Sequence, residues 1–360
     1  MKHLSLFAVP VALVLGISAV AVFAEDKPLV AKGFEIDSST VRPPAKRPTA
    51  LPFHKGIGIF WADDPKDRDD IVRFRAQRVF RYLRTLNANA VSITFPFVMN
   101  GPRSSRVTAD RIRTPTPDRL EIVLSEAVRY RIQATIRPTL DEQTLRSTND
   151  WRGSITPTDR DVWFASYQSF LLPYLDAAEK WRAAAFAVGV ELNTMEGDSR
   201  WNGLFTEAER HFTGVLGHDQ NFDQFRRKRM IKHALGLDLY PELKLPDTAT
   251  AAEVTSGLNA WLNLSARGPQ PQLVISETGV PAADGAYRLP YTYNAAKPVN
   301  EQVQVNWFKA VCALVKAREM AGVYWWNVDF DGDPKARNRS NSYVLTGRPE
   351  VEAVIRDCFR

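Results

Sequence analysis

The sequence predicts an α/β protein, a single (β/α)8 barrel. Three observations carry that prediction. Short apolar runs recur eight times after residue 51, too apolar for a solvated edge strand and too short for a helix; they read as buried parallel strands. Amphipathic helical segments alternate with them, which is the pattern of a parallel sheet with crossover helices. Two of the runs, Val188-Gly189-Val190-Glu191-Leu192-Asn193 and Val274-Ile275-Ser276-Glu277-Thr278-Gly279, each carry a glutamate where the strand opens into a polar, Gly-containing loop. The C-terminal ends of barrel strands are where such folds keep their reactive groups.

The elements follow in order. Gly56 to Trp61 is the first strand, and Asp69 to Leu86 a helix whose Val72, Ala76, Val79, Phe80 and Leu83 form one apolar stripe. Ala90 to Pro96 is the second strand. Thr116-Pro117-Asp118 opens a helix that runs to about Arg131, with Thr116 or Asp118 as cap and Glu121 in the first turn. Gln133 to Pro138 is the third strand, stopped by its proline. Thr158 to Arg182 is a long helix, and Ala185 to Glu191 the fourth strand. Trp201 to Phe212 is helical. The fifth strand lies near Gly214 to His218, followed by a helix over Asn221 to Lys232. His233 to Tyr240 is the sixth strand, Thr250 to Ala266 a helix, Gln272 to Thr278 the seventh strand, Asn300 to Met320 a helix, Gly322 to Val328 the eighth strand, and Pro349 to Phe359 a last short helix. Eight strand–helix units in about 310 residues match one barrel. A doubly wound nucleotide fold fits less well, because Gly56-Ile57-Gly58 has no third glycine at the dinucleotide spacing.

Composition agrees with one ordinary globular domain: 360 residues, 44% hydrophobic and 24% charged. The N-terminus differs. Lys2 and His3 precede an apolar run from Leu4 to Ala24, which ends before Glu25-Asp26-Lys27. The segment 1–24 is a signal peptide or an uncleaved anchor, so a secreted or periplasmic location is expected, with a membrane contact only if the segment stays attached. Residues 25–51 carry Pro28, Pro43, Pro44 and Pro48 and form a linker or wrapping arm. The folded domain spans 52–360. Cys312 and Cys358, the only cysteines, are a candidate disulfide in an exported protein; two buried thiols are the alternative. The net charge is +6, with arginines crowded over Arg73 to Arg84 and Arg226 to Lys232. The first cluster faces away from the apolar stripe without interleaved aromatics, which speaks for a solvated helix face rather than nucleic-acid binding.

The chemistry rests on the two glutamates. Glu191 suits a general acid, its pKa raised by partial desolvation and by a negative neighbour. Glu196, five residues on, is its rival. Glu277 suits a nucleophile, which must stay ionised and fixed by hydrogen-bond donors. Tyr240, at the end of the neighbouring sixth strand, is the candidate donor. Paired carboxylates facing one substrate are the equipment for cleaving a glycosidic bond. Sugar rings pack their C–H faces on aromatic planes, and Trp61, Trp151, Trp201, Trp325 and Trp326 fall at or beyond strand ends. Trp325 and Trp326 alternate across a strand, so one faces the mouth; Trp326 is the choice. Asn193, in the loop after Glu191, completes the expected substrate contacts. No cofactor or metal is expected: the histidines show neither HExxH nor Cys–His spacing, there is no GxSxG elbow, and Asp329-Phe330-Asp331-Gly332-Asp333 misplaces its glycine for a calcium loop.

An ordered set of motifs then resembles glycoside hydrolase family 113. It comprises Trp151-Arg152-Gly153-Ser154-Ile155, Trp163-Phe164 with Tyr167, Val188-Gly189-Val190-Glu191-Leu192, Gly236-Leu237-Asp238-Leu239-Tyr240-Pro241, Ser276-Glu277-Thr278-Gly279 and Gly322-Val323-Tyr324-Trp325-Trp326. The resemblance covers roughly residues 54 to 330. It implies a clan A (β/α)8 retaining glycosidase, with endo-β-1,4-mannanase the main characterised activity. It also implies Glu191 as acid/base, Glu277 as nucleophile, and Tyr240 and Trp326 in substrate-contact positions. Two departures stand out. Clan A enzymes usually carry Asn before the acid/base and this family often Thr, where this chain has Val190; valine offers neither an amide nor a hydroxyl to the sugar 2-hydroxyl. The segment from Pro281 to Pro298 is private to this chain. A transglycosylase, or a non-catalytic glycan-binding barrel in polysaccharide assembly, would use the same scaffold.

Overall fold

Eight strands run parallel and close on themselves. In the computed structural model they are β1 (His54–Phe60), β2 (Ala90–Met99), β4 (Gln133–Leu140), β5 (Ala185–Val190), β6 (Val215–Asn221), β7 (Ala234–Asp238), β8 (Val274–Thr278) and β9 (Gly322–Asp329). β1 pairs with β2 on one side and β9 on the other, so no barrel strand is left as an edge. A two-residue strand, β3 (Val107–Thr108), adds to β2 antiparallel outside the barrel. The structure describes residues 36–141, 143–145, 150–227 and 233–360. The apolar run 1–24, the start of the arm, and residues 228–232 of the basic cluster lie outside the described residues. The chain divides after Ser38, and every element named here belongs to the unit Ser39–Arg360.

The helices are α1 (Asp69–Thr85), α2 (Pro117–Arg129), α3 (Arg160–Lys180), α4 (Trp201–His211), α5 (Phe222–Arg226), α6 (Ala251–Leu262), α7 (Glu301–Ala317) and α8 (Pro349–Cys358). Several starts have a local cause in the side chain that precedes them. Thr116 caps α2 at Arg119 N, Asp159 caps α3 at Val162 N, and Thr250 with Glu253 makes a capping box on α6. α1 buries Val72, Ala76, Val79, Phe80 and Leu83, the stripe read from the sequence. Its arginine face is less solvated than that pattern suggests: Arg73 pairs with buried Glu126 at 2.5 Å, and Arg75 with Asp331 at 3.0 Å. Among the described residues no helix is long and apolar enough to cross a membrane.

Several boundaries differ from the sequence expectation. β4 runs through Pro138 to Leu140 instead of stopping there. Its pairing with β5 ends at Ile136, so a proline beyond that point removes no bond on the β5 side. β2 likewise continues through Pro96 to Met99. β6 extends past His218 to Asn221, although Asp219, Gln220 and Asn221 have no apolar signature. α5 is only five residues long, where a helix over Asn221 to Lys232 was expected.

Between barrel and helices the core is apolar, and Trp325 stacks there on Phe308 (centroids 4.5 Å apart). Inside the barrel one contact depends on a glycine. A Cβ at Gly56 would lie 2.3 Å from the ring of Tyr324, so only glycine leaves that ring its place. Near the N-terminal ends of β4 and β5 the last residues of the arm dock: Gln133 donates to the Thr49 carbonyl at 2.8 Å. Arg47 donates to Glu179 (2.6 Å), Thr213 (3.0 Å) and the Ala183 carbonyl, over the ring of Phe212. Cys312 of α7 and Cys358 of α8 are disulfide-bonded, with Cα atoms 5.8 Å apart.

Candidate active site

The C-terminal mouth of the barrel holds a cavity of about 1580 Å³, lined among others by Glu191, Glu277, Tyr240, Trp326, Trp151, Arg152, Arg137 and Asn221. Strand ends aim these groups. β5 delivers Glu191, β6 Asn221, β7 Tyr240 two residues past its end, β8 Glu277 and β9 Trp326. Glu191 sits at φ 53°, a left-handed backbone rare for a residue with a Cβ. Such a conformation at a strand end is held by its surroundings rather than by local preference.

The two glutamates have opposite environments. The Glu191 side chain is 13% exposed. Asn221 Nδ2 donates to its Oε1 at 2.6 Å, and Arg152 lies 3.5 Å from Oε2. Burial pushes its pKa up, and the charge of Glu277 adds to that. Arg152 and the Asn221 bond oppose, leaving a pKa of about 7.

Glu277 is instead gripped by donors. Tyr240 donates its hydroxyl to Oε1 at 2.7 Å, and Arg137 donates to Oε2. Burial and the adjacent Glu277 charge hold the Tyr240 phenol well above its ordinary pKa, so it stays protonated and donates.

Arg137 is the hub beneath this pair. Its side chain is 2% exposed, and besides Glu277 it binds Asp219 through Nε at 2.6 Å and Asp238 through Nη2. Burial alone would lower its pKa; Asp238, Glu277 and Asp219 together outweigh that and keep it charged. Asp238 also accepts from Ser276 Oγ at 2.8 Å. Burial drives the pKa of Asp238 far up and that of Asp219 up, against the pull of Arg137. One guanidinium facing three carboxylates cannot neutralise them all, so proton retention on an aspartate is the natural relief.

The remaining expected residues fall on either side of the cavity wall. Trp326 and Trp151 line it. Trp61 does not: it is 1% exposed and packs on Phe330 at 4.8 Å, behind the rim. Trp201 is 5% exposed, donates Nε1 to the Met195 carbonyl at 2.6 Å and meets the His218 ring at 4.5 Å. Both were expected to stack on sugar; a tryptophan at a strand end can equally be drawn into the barrel–helix core, and here it is. Asn193 holds Asp223 at 2.9 Å rather than facing the cavity, and Asp223 lines it instead. Glu196, the rival acid, is not among the lining residues. Arg137, Arg152, Asp219, Asn221 and Asp238 were not singled out from the sequence as functional. The signal was there for Arg137: an arginine inside the apolar run Ala134-Thr135-Ile136-Arg137-Pro138 is too costly to bury without partners. Among the described residues no group of three His, Cys, Asp or Glu could hold a metal ion.

A sequence model described as Glycoside Hydrolase Family 113 matches residues 66–348. The chain belongs to glycoside hydrolase family 113. As a family 113 member it is a glycosidase, and its substrate is a carbohydrate. Solved structures share the barrel. A family 113 β-1,4-mannanase in complex matches with TM-score 0.70 at 19% identity, over 86% of this chain and 99% of that one. The family 113 β-mannanase of Alicyclobacillus acidocaldarius matches with TM-score 0.69 at 19% identity, over 86% and 97%. A family 5 mannosidase of Rhizomucor miehei matches with TM-score 0.52 at 12% identity, over 89% and 96%. At these identities the likeness extends to the fold. No curated protein sequence matches the chain.

Proposed function

We propose that this family 113 enzyme is an exported retaining β-glycosidase that cleaves a β-1,4-mannan-type polysaccharide. Glu277 is its nucleophile and Glu191 its acid/base. The observation that carries the assignment is the contrast between two carboxyls opening to one cavity. Glu191 is desolvated and holds a proton near neutrality; Glu277 is fixed by Arg137 and Tyr240. Such an unequal pair sorts acid from nucleophile. The mannan reading is supported by the family and by the names of its solved members. Export is supported by the apolar run of residues 1–24.

Two displacements follow. Glu277 attacks the anomeric carbon while Glu191 gives its proton to the departing glycosidic oxygen, forming a glycosyl ester. Glu191, now a carboxylate, takes a proton from water; that water attacks the same carbon and the ester bond to Glu277 breaks. Tyr240 and Arg137 keep the attacking oxygens oriented. Asn221, from the neighbouring strand, donates its amide to Glu191 and fixes that carboxyl.

A 2-deoxy-2-fluoro-β-mannosyl fluoride tests this, because its first displacement outruns its second. Mass spectrometry of the trapped, digested enzyme is expected to find one glycosyl group, on the peptide containing Glu277, and NMR of mannan hydrolysis to find β-configured product first. Label on another carboxylate, or α product first, rejects the roles.

A further inference from the structure

The cavity continues well beyond the two glutamates. Its volume of about 1580 Å³ exceeds the ~300–1,000 Å³ of a typical pocket for one small ligand. The lining passes from Tyr240 to Phe222 after β6, to Trp261 and Leu264 at the C-terminal end of α6, and to Tyr291 and Tyr293 after β8. Tyr291 is 49% exposed and Tyr293 53%. Tyr291 is nonetheless fixed: its ring lies on Phe222, centroids 5.9 Å apart and 22° from parallel, and its hydroxyl donates to Glu242. The wall bearing it is built in. Tyr343 donates to the Pro290 carbonyl at 2.6 Å, and Asn341 to the carbonyls of Asn294 and Lys297 at 3.0 and 2.7 Å. Arg288 reaches the Leu245 carbonyl at 2.9 Å. An aromatic ring pinned on one face and by its hydroxyl, yet left half in water inside a cleft, is an apolar surface kept for a ligand.

We propose that Tyr291, backed by Phe222 and flanked by Tyr293, is a distal sugar platform of this cleft. It stacks the C–H face of a glycosyl unit remote from the bond being cleaved. The platform rests on the glycosidase reading of Glu191 and Glu277. It lies between Pro281 and Pro298 in the long connection from β8 to α7, so it would set a chain-length preference for the enzyme. The unit it takes is a neutral hexose. That end of the cleft is lined by two acids, Asp223 and Glu242, and two bases, Arg226 and Lys244, so neither sign of charge prevails.

β-1,4-Manno-oligosaccharides from the disaccharide to the hexasaccharide are the probes. The measured quantity is the ratio of kcat/KM on the hexasaccharide to that on the disaccharide. Tyr291→Ala is expected to lower this ratio about 10-fold, equivalent to ~1.4 kcal/mol of selective binding, with most of the change in KM. Tyr291→Phe keeps the ring and is expected to restore most of the ratio. Thermal melting checks folding, and Tyr293→Ala carries the same test should Tyr291→Ala not fold. A folded variant whose ratio matches wild type overturns the platform, whether both rates fall together or neither falls. A wild-type enzyme that cleaves no chain length overturns the mannanase reading, and the platform falls with it.

Discussion

At the scale of single residues, Glu191 makes the sharpest statement. Its carboxyl rises from an ordinary 4.5 to about 7 because burial and Glu277 outweigh Arg152 and Asn221. A general acid must be protonated to act, so kcat/KM is expected to fall as pH rises through about 7. Arg152→Gln removes a cation that lowers this pKa, and should move the falling limb to higher pH. A limb that stays put, or moves down, rejects Glu191 as the acid. Stability carries the same sign. The folded state keeps the Glu191 proton to higher pH than the unfolded chain does. Its stabilising effect is therefore complete below about 4.5 and is lost as pH rises from there to about 7. Glu191→Gln should flatten that part of the stability curve, by on the order of 1–3 kcal/mol. Denaturant midpoints at pH 5 and pH 8 check it; the same pH dependence in both proteins would refute it. The hub under Glu277 works at this scale too. Arg137 holds a nucleophile candidate and two buried aspartates with one planar fork, which a lysine could not reproduce.

At the scale of elements, the strands decide which groups meet, and their ends carry information that periodicity does not. Glu191, Glu277, Tyr240 and Trp326 were legible because each follows a recognisable apolar run. Asp219 and Asn221 were not, because β6 ends in His218-Asp219-Gln220-Asn221, a polar stretch whose burial depends on Arg137 of β4 and Glu191 at the end of the adjacent β5. β4 hid its length behind Pro138, and the tryptophans at 61 and 201 could not be sorted into rim or core without knowing what packs behind them. Strand β8 hands over to its loop at a close approach: a Cβ at Gly279 would lie 2.5 Å from the backbone oxygen of Trp326. A backbone atom cannot step aside as a flexible side chain can. Gly279→Ala should therefore push β8 and β9 apart, cost about 1–3 kcal/mol and tilt Trp326 in the cavity. Thermal melting reads the first effect and KM for short oligosaccharides the second. An alanine variant with wild-type melting and KM would show that the contact relaxes without consequence.

At the scale of the whole molecule, the closed barrel gives the site its rigidity. Each barrel strand is paired on both sides, and side chains from β4 through β9 converge on one cavity at the mouth. The fold class itself was legible early, since eight apolar runs alternating with amphipathic helices leave few other architectures. What anchors the last helix is less legible in the sequence than the helix itself. α8 has ten residues, too few for a helix to be stable alone in water, and it must be held against the barrel by packing. Val351, Val354 and Ile355 supply the apolar face, and the Cys312–Cys358 bond fixes it to α7 across 46 residues of chain. That loop includes β9 and therefore Trp326. By the chain-entropy argument, a crosslink of this length stabilises the fold by ~4 kcal/mol at most, and commonly less. The Cys312→Ser/Cys358→Ser double variant should accordingly melt several degrees lower. Its turnover at 25 °C should stay close to wild type, because neither sulfur lies in the cavity. Reducing the wild-type enzyme should bring its melting curve down to that of the variant. If reduction leaves the melting temperature unchanged, packing alone anchors α8 and the crosslink is dispensable; if it abolishes activity while the fold persists, α8 controls the position of Trp326 and the mouth is less rigid than the barrel beneath it.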